Sequence, residues 1–263
     1  MSRILGEELE NVQAEFRYPD AKSFRAFIEA LSKILDEARF EISSDGVRVV
    51  GMDPAKVAYM EVYMPSSSFT EFNVETGGEP VYMGVNLETM SNILKKGKKG
   101  ETLLFKVASD KIFVQIDSVI VKRFLIPNIE VILDVPEEIK LEHSVEATVI
   151  SDVVKKAISD IEIVGDVAEF EASEDRLIIR AKGASRARVE TILQEGVSSA
   201  LLYLEVREPS TSLYDVSYLK NILNLTRVAD SVDIKFSSGK PLEMIFRSPE
   251  GSQVRYILAP SVA

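Results

Sequence analysis

The chain has 263 residues, 42 acidic and 31 basic side chains, and a formal net charge of −11. It lacks cysteine, which excludes disulfide bonds, thiolate catalysis and cysteine metal sites. The apolar fraction of 46% can fill one large or two ordinary cores, and the absence of a signal-like start or a run of about 20 apolar residues predicts a soluble intracellular protein.

The first half is predicted to begin with an amphipathic helix over 21–35, because its apolar residues recur at helical spacing. A second helix is predicted over 86–96. Alternating apolar residues predict strands on either side of that helix, at 38–43, 46–52, 57–64, 102–107, 111–117 and 119–126. Gly46 supplies the positive φ that a tight turn at 43–46 requires.

The second half follows the same plan. Its helices are predicted over 151–161, with Ser151 or Asp152 as N-cap, and over 214–228. Its strands are predicted at 168–173, 176–181, 187–193, 231–237, 242–248 and 253–260. Few helices and many strands predict an α+β fold built on antiparallel sheets.

The two halves are also related in sequence. "ARFEISSDGVRVV" (38–50) aligns with "AEFEASEDRLIIR" (168–180) at an offset of 130, and "SNIL" (91–94) aligns with "KNIL" (220–223) at an offset of 129. Two further segments match in the same order. The chain is therefore predicted to contain two duplicated domains, over 14–125 and 139–263, joined by an extended connector over 126–138 and preceded by an N-terminal extension, 1–13.

Charge is unevenly distributed. Four lysines lie within 95–99, and the four helical segments carry a net charge of +5, which leaves −16 elsewhere. Lysines at a helix end can oppose the helix dipole, or they can face the phosphates of a nucleic acid. Composition alone leaves both interpretations open.

Four segments, 42–62, 83–96, 160–173 and 256–263, closely resemble the archaeal and eukaryotic sliding clamps of the proliferating cell nuclear antigen (PCNA) family. The resemblance runs from about Ala14 to Ala263. It implies a DNA clamp fold whose three subunits form a ring, with helices lining a central hole. Strand 119–125 of one subunit would then pair with strand 186–193 of the next.

The resemblance also implies two sites. Arg25, Lys95 and Lys156 fall where the family carries basic residues facing the hole, and helix placement extends the DNA-facing set to Lys22, Lys33, Lys96, Lys98, Lys99, Lys155, Lys220 and Arg227. Where other clamps are basic, this chain has Ser32, Asn92, Ser159 and Asn224, so a modest grip on DNA is expected. The groove for partner motifs would be formed by Met52, Val57, Leu133, Val135, Pro136, Pro241, Ile257, Leu258, Ala259 and Pro260.

The implied function is that of a DNA polymerase processivity factor that encircles duplex DNA. Its expected partners are a clamp loader and the polymerases, flap endonucleases and DNA ligases that carry a short glutamine/aromatic motif. The ring would be a homotrimer or a heterotrimer with paralogues. No membrane partner is expected, and the protein would act in the cytoplasm of an archaeon or in the nucleus of a eukaryote.

The alternative is a non-replicative checkpoint-type clamp or a protein-interaction scaffold. No enzymatic activity, cofactor or metal is expected, because the one histidine, His143, lies outside any catalytic or metal-binding motif and is more often a structural residue in such a context.

Overall fold

The computed structural model describes residues 9–75, 77–136, 139–183 and 186–261. The chain divides into two compact units. The first unit takes in the chain up to Met52, Glu61–Val135 and Pro249–Gln253, and the second takes in Asp53–Met60, Pro136–Ser248 and the chain from Val254. The predicted extension over 1–13 lies partly outside the described residues, and the predicted domain bounds stay a prediction.

The first repeat contains nine strands and two α-helices among its described residues. In chain order they are β1 (Ala14–Tyr18), α1 (Ala21–Leu31), β2 (Glu37–Ser43), β3 (Gly46–Met52), β4 (Ala58–Pro65), β5 (Glu71–Val74), β6 (Val81–Asn86), α2 (Leu87–Leu94), β7 (Thr102–Val107), β8 (Lys111–Asp117) and β9 (Lys122–Pro127). A short 3-10 turn, Ser66–Ser68, follows β4.

The second repeat has the same order. Its elements are β10 (Val145–Ile150), α3 (Ser151–Val164), β11 (Val167–Ser173), β12 (Arg176–Lys182), β13 (Arg188–Gln194), β14 (Leu201–Val206), β15 (Ser210–Asp215), α4 (Val216–Lys220), β16 (Ser231–Phe236), β17 (Leu242–Arg247) and β18 (Gln253–Leu258). A 3-10 turn, Leu223–Arg227, follows α4. The predicted α+β class and the duplication are thus confirmed.

Three details of the prediction were wrong. Each repeat begins with a strand rather than a helix, and the strands that sequence reasoning missed are β1, β5, β6, β10, β14 and β15. The helix predicted over 214–228 is broken: α4 ends at Lys220, and a separate 3-10 turn follows, within which the hydroxyl of Thr226 donates to the carbonyl of Leu223 (2.7 Å). Helix α3 has Ile150 at its N-cap position and no side-chain cap.

In the first unit, a five-stranded antiparallel sheet has the order β5-β1-β7-β8-β9, and β2 pairs with both β3 and β6. Phe16 of β1 lies opposite Phe72 of β5 and Phe105 of β7, and the rings of Phe16 and Phe105 stack at 5.1 Å. Helices α1 and α2 pack against each other. The order of the sheet leaves β9 at one end of it.

In the second unit, a four-stranded sheet has the order β13-β12-β11-β15, and β10 pairs with β14 and β16. Helix α3 packs on β12 and β13, and β13 lies at the end of its sheet. In this core the ring of Phe170 lies edge-on to the rings of Tyr214 and Phe236, at 5.4 and 6.1 Å.

His143 has a structural place in the second unit. Its Nε2 lies 2.9 Å from Glu243, which also accepts a hydrogen bond from Arg255, and Arg255 donates to the carbonyl of Ile139 (2.9 Å). Burial alone would raise the pKa of Glu243, but the hydrogen bonds from His143 and Arg255 outweigh it and lower that pKa to about 2. The carboxylate therefore stays charged at neutral pH and ties the chain after the connector to β17 and β18.

Candidate nucleic-acid and partner interfaces

The lysine run of 95–99 lies just beyond helix α2. Lys95 is the C-cap residue, and the amide of Gly97 donates to the carbonyl of Leu94 (3.0 Å). Lys95, Lys96, Lys98 and Lys99 are all exposed. Gly97 is buried, and a Cβ at this position would lie 2.8 Å from the Cβ of Ala21, so the turn passes too close to α1 for any larger residue.

Asp20 fixes this lysine turn to the start of α1. One carboxylate oxygen accepts the amide of Ser23 (2.7 Å) as the N-cap of α1, and the other accepts the amide of Gly100 (2.8 Å). Burial would raise the pKa of Asp20, but the hydrogen bonds from Gly100 and Ser23 outweigh it and lower the pKa. The turn is therefore held in place near neutral pH while its lysine side chains extend into solvent.

The lysines of this run do little to cap their own helix. The ammonium group of Lys95 donates to the side chain of Asn92 (3.1 Å), and the carbonyl of Lys96 is bound by Lys122 of β9 (2.7 Å). Within the described part of the chain, the ammonium groups of Lys96, Lys98 and Lys99 form no ion pair. Hydrogen-bonded capping of α2 by these side chains thus does not account for the run, and its orientation toward DNA stays a prediction.

The other predicted DNA-facing residues differ in exposure and in whether an acidic side chain pairs with their charge. Lys22, Lys33, Lys156 and Arg227 are exposed, and Lys155 is half-buried. Arg25 pairs with Glu29 one helical turn away (3.3 Å), and Lys220 of α4 pairs with Glu162 of α3. The positive charge of the second unit's helices is therefore partly neutralised, whereas that of the lysine run is not.

The predicted partner groove draws on residues of both units, and its assembly into one groove stays a prediction. In the first unit, the connector begins as an addition to strand β6. The amide of Ile129 donates to the carbonyl of Gly84 (3.0 Å), and the amide of Gly84 donates to the side chain of Asn128 (2.7 Å). Asn128 also donates to the carbonyls of Tyr82 and Ala108 (3.0 and 2.9 Å).

Beyond this attachment the connector alternates in exposure. Leu133 and Val135 are half-buried, whereas Ile132 is 89% exposed. Met52, at the end of β3, is half-buried. The alternation places Leu133 and Val135 on one side of an extended segment and Ile132 on the other.

The attachment at Gly84 supplies a physical reason for glycine in the "MGVNL" segment. A Cβ there would lie 1.8 Å from the carbonyl oxygen of Ile129. We expect Gly84→Ala to push the connector off β6, to lower the free energy of unfolding by about 1–3 kcal/mol, and to accelerate amide exchange at Ile129. Gly165→Ala is the control, because its Cβ has its nearest neighbour at 3.4 Å. Equal effects of the two substitutions would contradict the steric argument.

In the second unit, the accessible part of the predicted groove is formed by fewer residues than the sequence suggested. Val57, Pro241, Ala259 and Pro260 are half-buried and Pro136 is exposed. Ile257 and Leu258 are only 6% and 0% exposed, so their side chains belong to the core of this unit. The amide of Ala259 donates to the carbonyl of Val57 (2.8 Å), which brings these two predicted groove residues together.

Sequence reasoning missed the residues that hold these surfaces in shape. Asp20, Asn128 and Asp53 each accept or donate several backbone hydrogen bonds at a turn. The one local signal was their chemistry, since Asp and Asn side chains commonly bind nearby backbone groups at turns and caps.

The described residues contain no helix that is both long and apolar enough to span a membrane.

Two repeats of antiparallel sheet, each with two helices and a sheet that ends in an edge strand, define the DNA clamp fold. A model of the N-terminal domain of proliferating cell nuclear antigen matches residues 13–122. DNA polymerase sliding clamp 1 of Aeropyrum pernix is 50% identical over 246 residues, which cover 94% of this chain and 99% of that protein. The chain therefore belongs to the family of DNA polymerase sliding clamps related to proliferating cell nuclear antigen.

Solved structures agree with this assignment. PCNA from Thermococcus kodakaraensis has a TM-score of 0.87 at 26% identity, with 94% of this chain and 100% of that chain covered. A chain of the PCNA2–PCNA3 complex from Sulfolobus tokodaii has a TM-score of 0.86 at 27% identity, with 94% and 98% covered.

Proposed function

We propose that this chain is a subunit of a ring-shaped sliding clamp that encircles duplex DNA and acts as a DNA polymerase processivity factor. The observation that carries the proposal is the duplicated fold, in which each unit presents an edge strand available to another subunit. The relationship to a DNA polymerase sliding clamp at 50% identity supports it.

The duplication suggests how the ring closes. Within the second unit, the residue after β18 binds the residue before β4, through Ala259 and Val57. By element order, β9 is the counterpart of β18 and β13 is the counterpart of β4. Pairing β9 of one subunit with β13 of the next would repeat this arrangement between chains and would cover both sheet edges. The exposed aliphatic run Val119–Val121 before β9 fits such a seam.

The charge distribution supports loose contact with DNA. Phosphate contacts from the lysine run and the helices would be non-specific and sensitive to salt, so they would permit sliding. The ring would act by tethering, because a partner bound to it has a high effective concentration at the primer end. We propose that the chain itself performs no chemistry.

The proposed partners are a clamp loader and the polymerases, flap endonucleases and DNA ligases that bind through a glutamine/aromatic motif. The ring would contain three copies of this chain, or this chain with paralogues, as the two-component complex of Sulfolobus tokodaii illustrates for a relative. The archaeal source of the relatives favours the cytoplasm of an archaeon.

A primer-extension assay tests the function. We expect the protein, with clamp loader and ATP, to lengthen the products of a polymerase on primed circular DNA. Linear templates with free ends are the control, because a ring slides off them and the gain should disappear. Mass measurement in solution decides beforehand whether this chain closes a ring alone or needs paralogues in the assay. With the complete ring present, unchanged product length on circles would contradict the proposal.

A further inference from the structure

A buried carboxylate organises the loop that carries Val57. Asp53 is 6% exposed, and one of its carboxylate oxygens accepts the amides of Val57 (2.7 Å) and Ala58 (2.6 Å). The other oxygen accepts the amide of Ala55 (3.3 Å) and the hydroxyl of Tyr218 (3.0 Å). Among the described residues, no lysine or arginine forms an ion pair with Asp53, so these four donors satisfy its charge.

Tyr218 is the one of these donors that comes from outside the loop. It lies on α4, two residues before Lys220. Burial and the carboxylate of Asp53 raise the pKa of its hydroxyl, which therefore stays protonated and donates at neutral pH. The position of α4 is itself tied to β18, because the hydroxyl of Tyr256 donates to the carbonyl of Tyr218 (3.1 Å).

The same loop meets the C-terminal segment on its other side, where the carbonyl of Val57 accepts the amide of Ala259 (2.8 Å). Lys56, beside Val57, has a φ of +57°, a left-handed conformation that a residue with a side chain adopts only when its surroundings hold it. The hydrogen bonds to Asp53 supply that restraint. The shape of the loop at Val57 thus depends on the Asp53 carboxylate, whose one side-chain donor among the described residues is Tyr218 of α4.

We propose that Tyr218 is a positioning residue for the partner-motif groove, acting through Asp53 to hold Val57 and Ala259 in their binding arrangement. This inference rests on the proposed function. It assigns to a helix predicted to face DNA a second task on the partner surface. Tyr218 need not touch the partner peptide to fulfil that task.

The test measures the binding of a fluorescent peptide that carries the glutamine/aromatic motif. Tyr218→Phe removes one hydroxyl, and losing a hydrogen bond to a carboxylate should weaken peptide binding about three- to tenfold. Tyr203→Phe is the matched control, because it removes a phenol–carboxylate hydrogen bond to Glu205 (3.0 Å) at the surface of β14. Affinity equal to wild type in Tyr218→Phe would overturn the inference.

A double-mutant cycle separates positioning from general destabilisation. If Tyr218 acts through Asp53, then adding Tyr218→Phe to Asp53→Asn should cost little further affinity. Additive losses would overturn the inference, and so would a loss in Tyr203→Phe equal to that in Tyr218→Phe. Two results would refute the groove itself and this inference with it. One is a wild-type protein that does not bind the peptide, and the other is a variant with Leu133→Ser and Val135→Ser that binds it as tightly as the wild type.

Discussion

Changing Lys95, Lys96, Lys98 and Lys99 together to glutamate is expected to weaken equilibrium binding to linear duplex DNA strongly near physiological salt. The four side chains are exposed and extend from a turn that is fixed to α1, so they form the densest free positive charge on the predicted DNA side. If all four face phosphates, the slope of log affinity against log salt should become shallower by up to about 3.6. Equilibrium binding to a long duplex over a salt series measures both effects.

A charge-matched control distinguishes local contact from the general rise in negative charge. It carries four glutamate replacements at exposed basic residues of the strands and loops, namely Lys111, Arg176, Lys182 and Lys240. This control should retain most of the salt dependence. The mass of the assembled ring should be unchanged in both variants. Retention at low salt that matches the wild type in the lysine-run variant would contradict a DNA-facing run.

Leu133→Ser combined with Val135→Ser is expected to weaken binding of the partner peptide strongly. Both side chains are half-buried on the same side of the connector and can bury their remaining apolar surface under a peptide. Because only about half of each side chain remains to be buried, losing both anchors costs about 1.5–3 kcal/mol, which corresponds to a Kd raised about 10- to 100-fold. Calorimetric titration with the motif peptide measures this change.

The connector offers its own control for this experiment. Ile132 directly precedes Leu133, is equally apolar and is 89% exposed on the opposite side. Ile132→Ser should leave the peptide affinity nearly unchanged. If Ile132→Ser weakened binding as much as the double variant does, the groove would have to lie on the other side of the connector.

The sequence predicted the parts of this fold that local patterns encode. Apolar alternation and turn residues predicted β3, β7 and β8 with the bounds observed, and the internal match at 38–50 and 168–180 predicted the duplication. The strands depend on neighbours within a few residues, whereas the duplication emerges when the sequence is aligned with itself at an offset of 130. Strand β1 was missed although its buried residues alternate, because five residues carry too little pattern to distinguish a strand from a loop.

The contacts that shape the candidate sites were beyond such reasoning because they join distant positions. Asp20 holds Gly100 across 80 residues, and Tyr218 reaches Asp53 across 165. The sequence also placed Leu258 in the groove, whereas the structure buries its side chain completely. Apolar residues of a core and of a binding surface have the same composition, and only packing separates them.

Some strand contacts lie within one chain and others would form only between subunits, and this difference has a kinetic consequence for the proposed ring. Strand β18 and the start of β4 belong to one polypeptide, whereas β9 and β13 would meet only between subunits. Ring opening would therefore occur at the seams between chains, since the covalent chain limits separation within a subunit. The residence time on closed circular DNA would then be set by the lifetime of the weakest seam, and the affinity of the lysines for phosphate could stay low without releasing the ring.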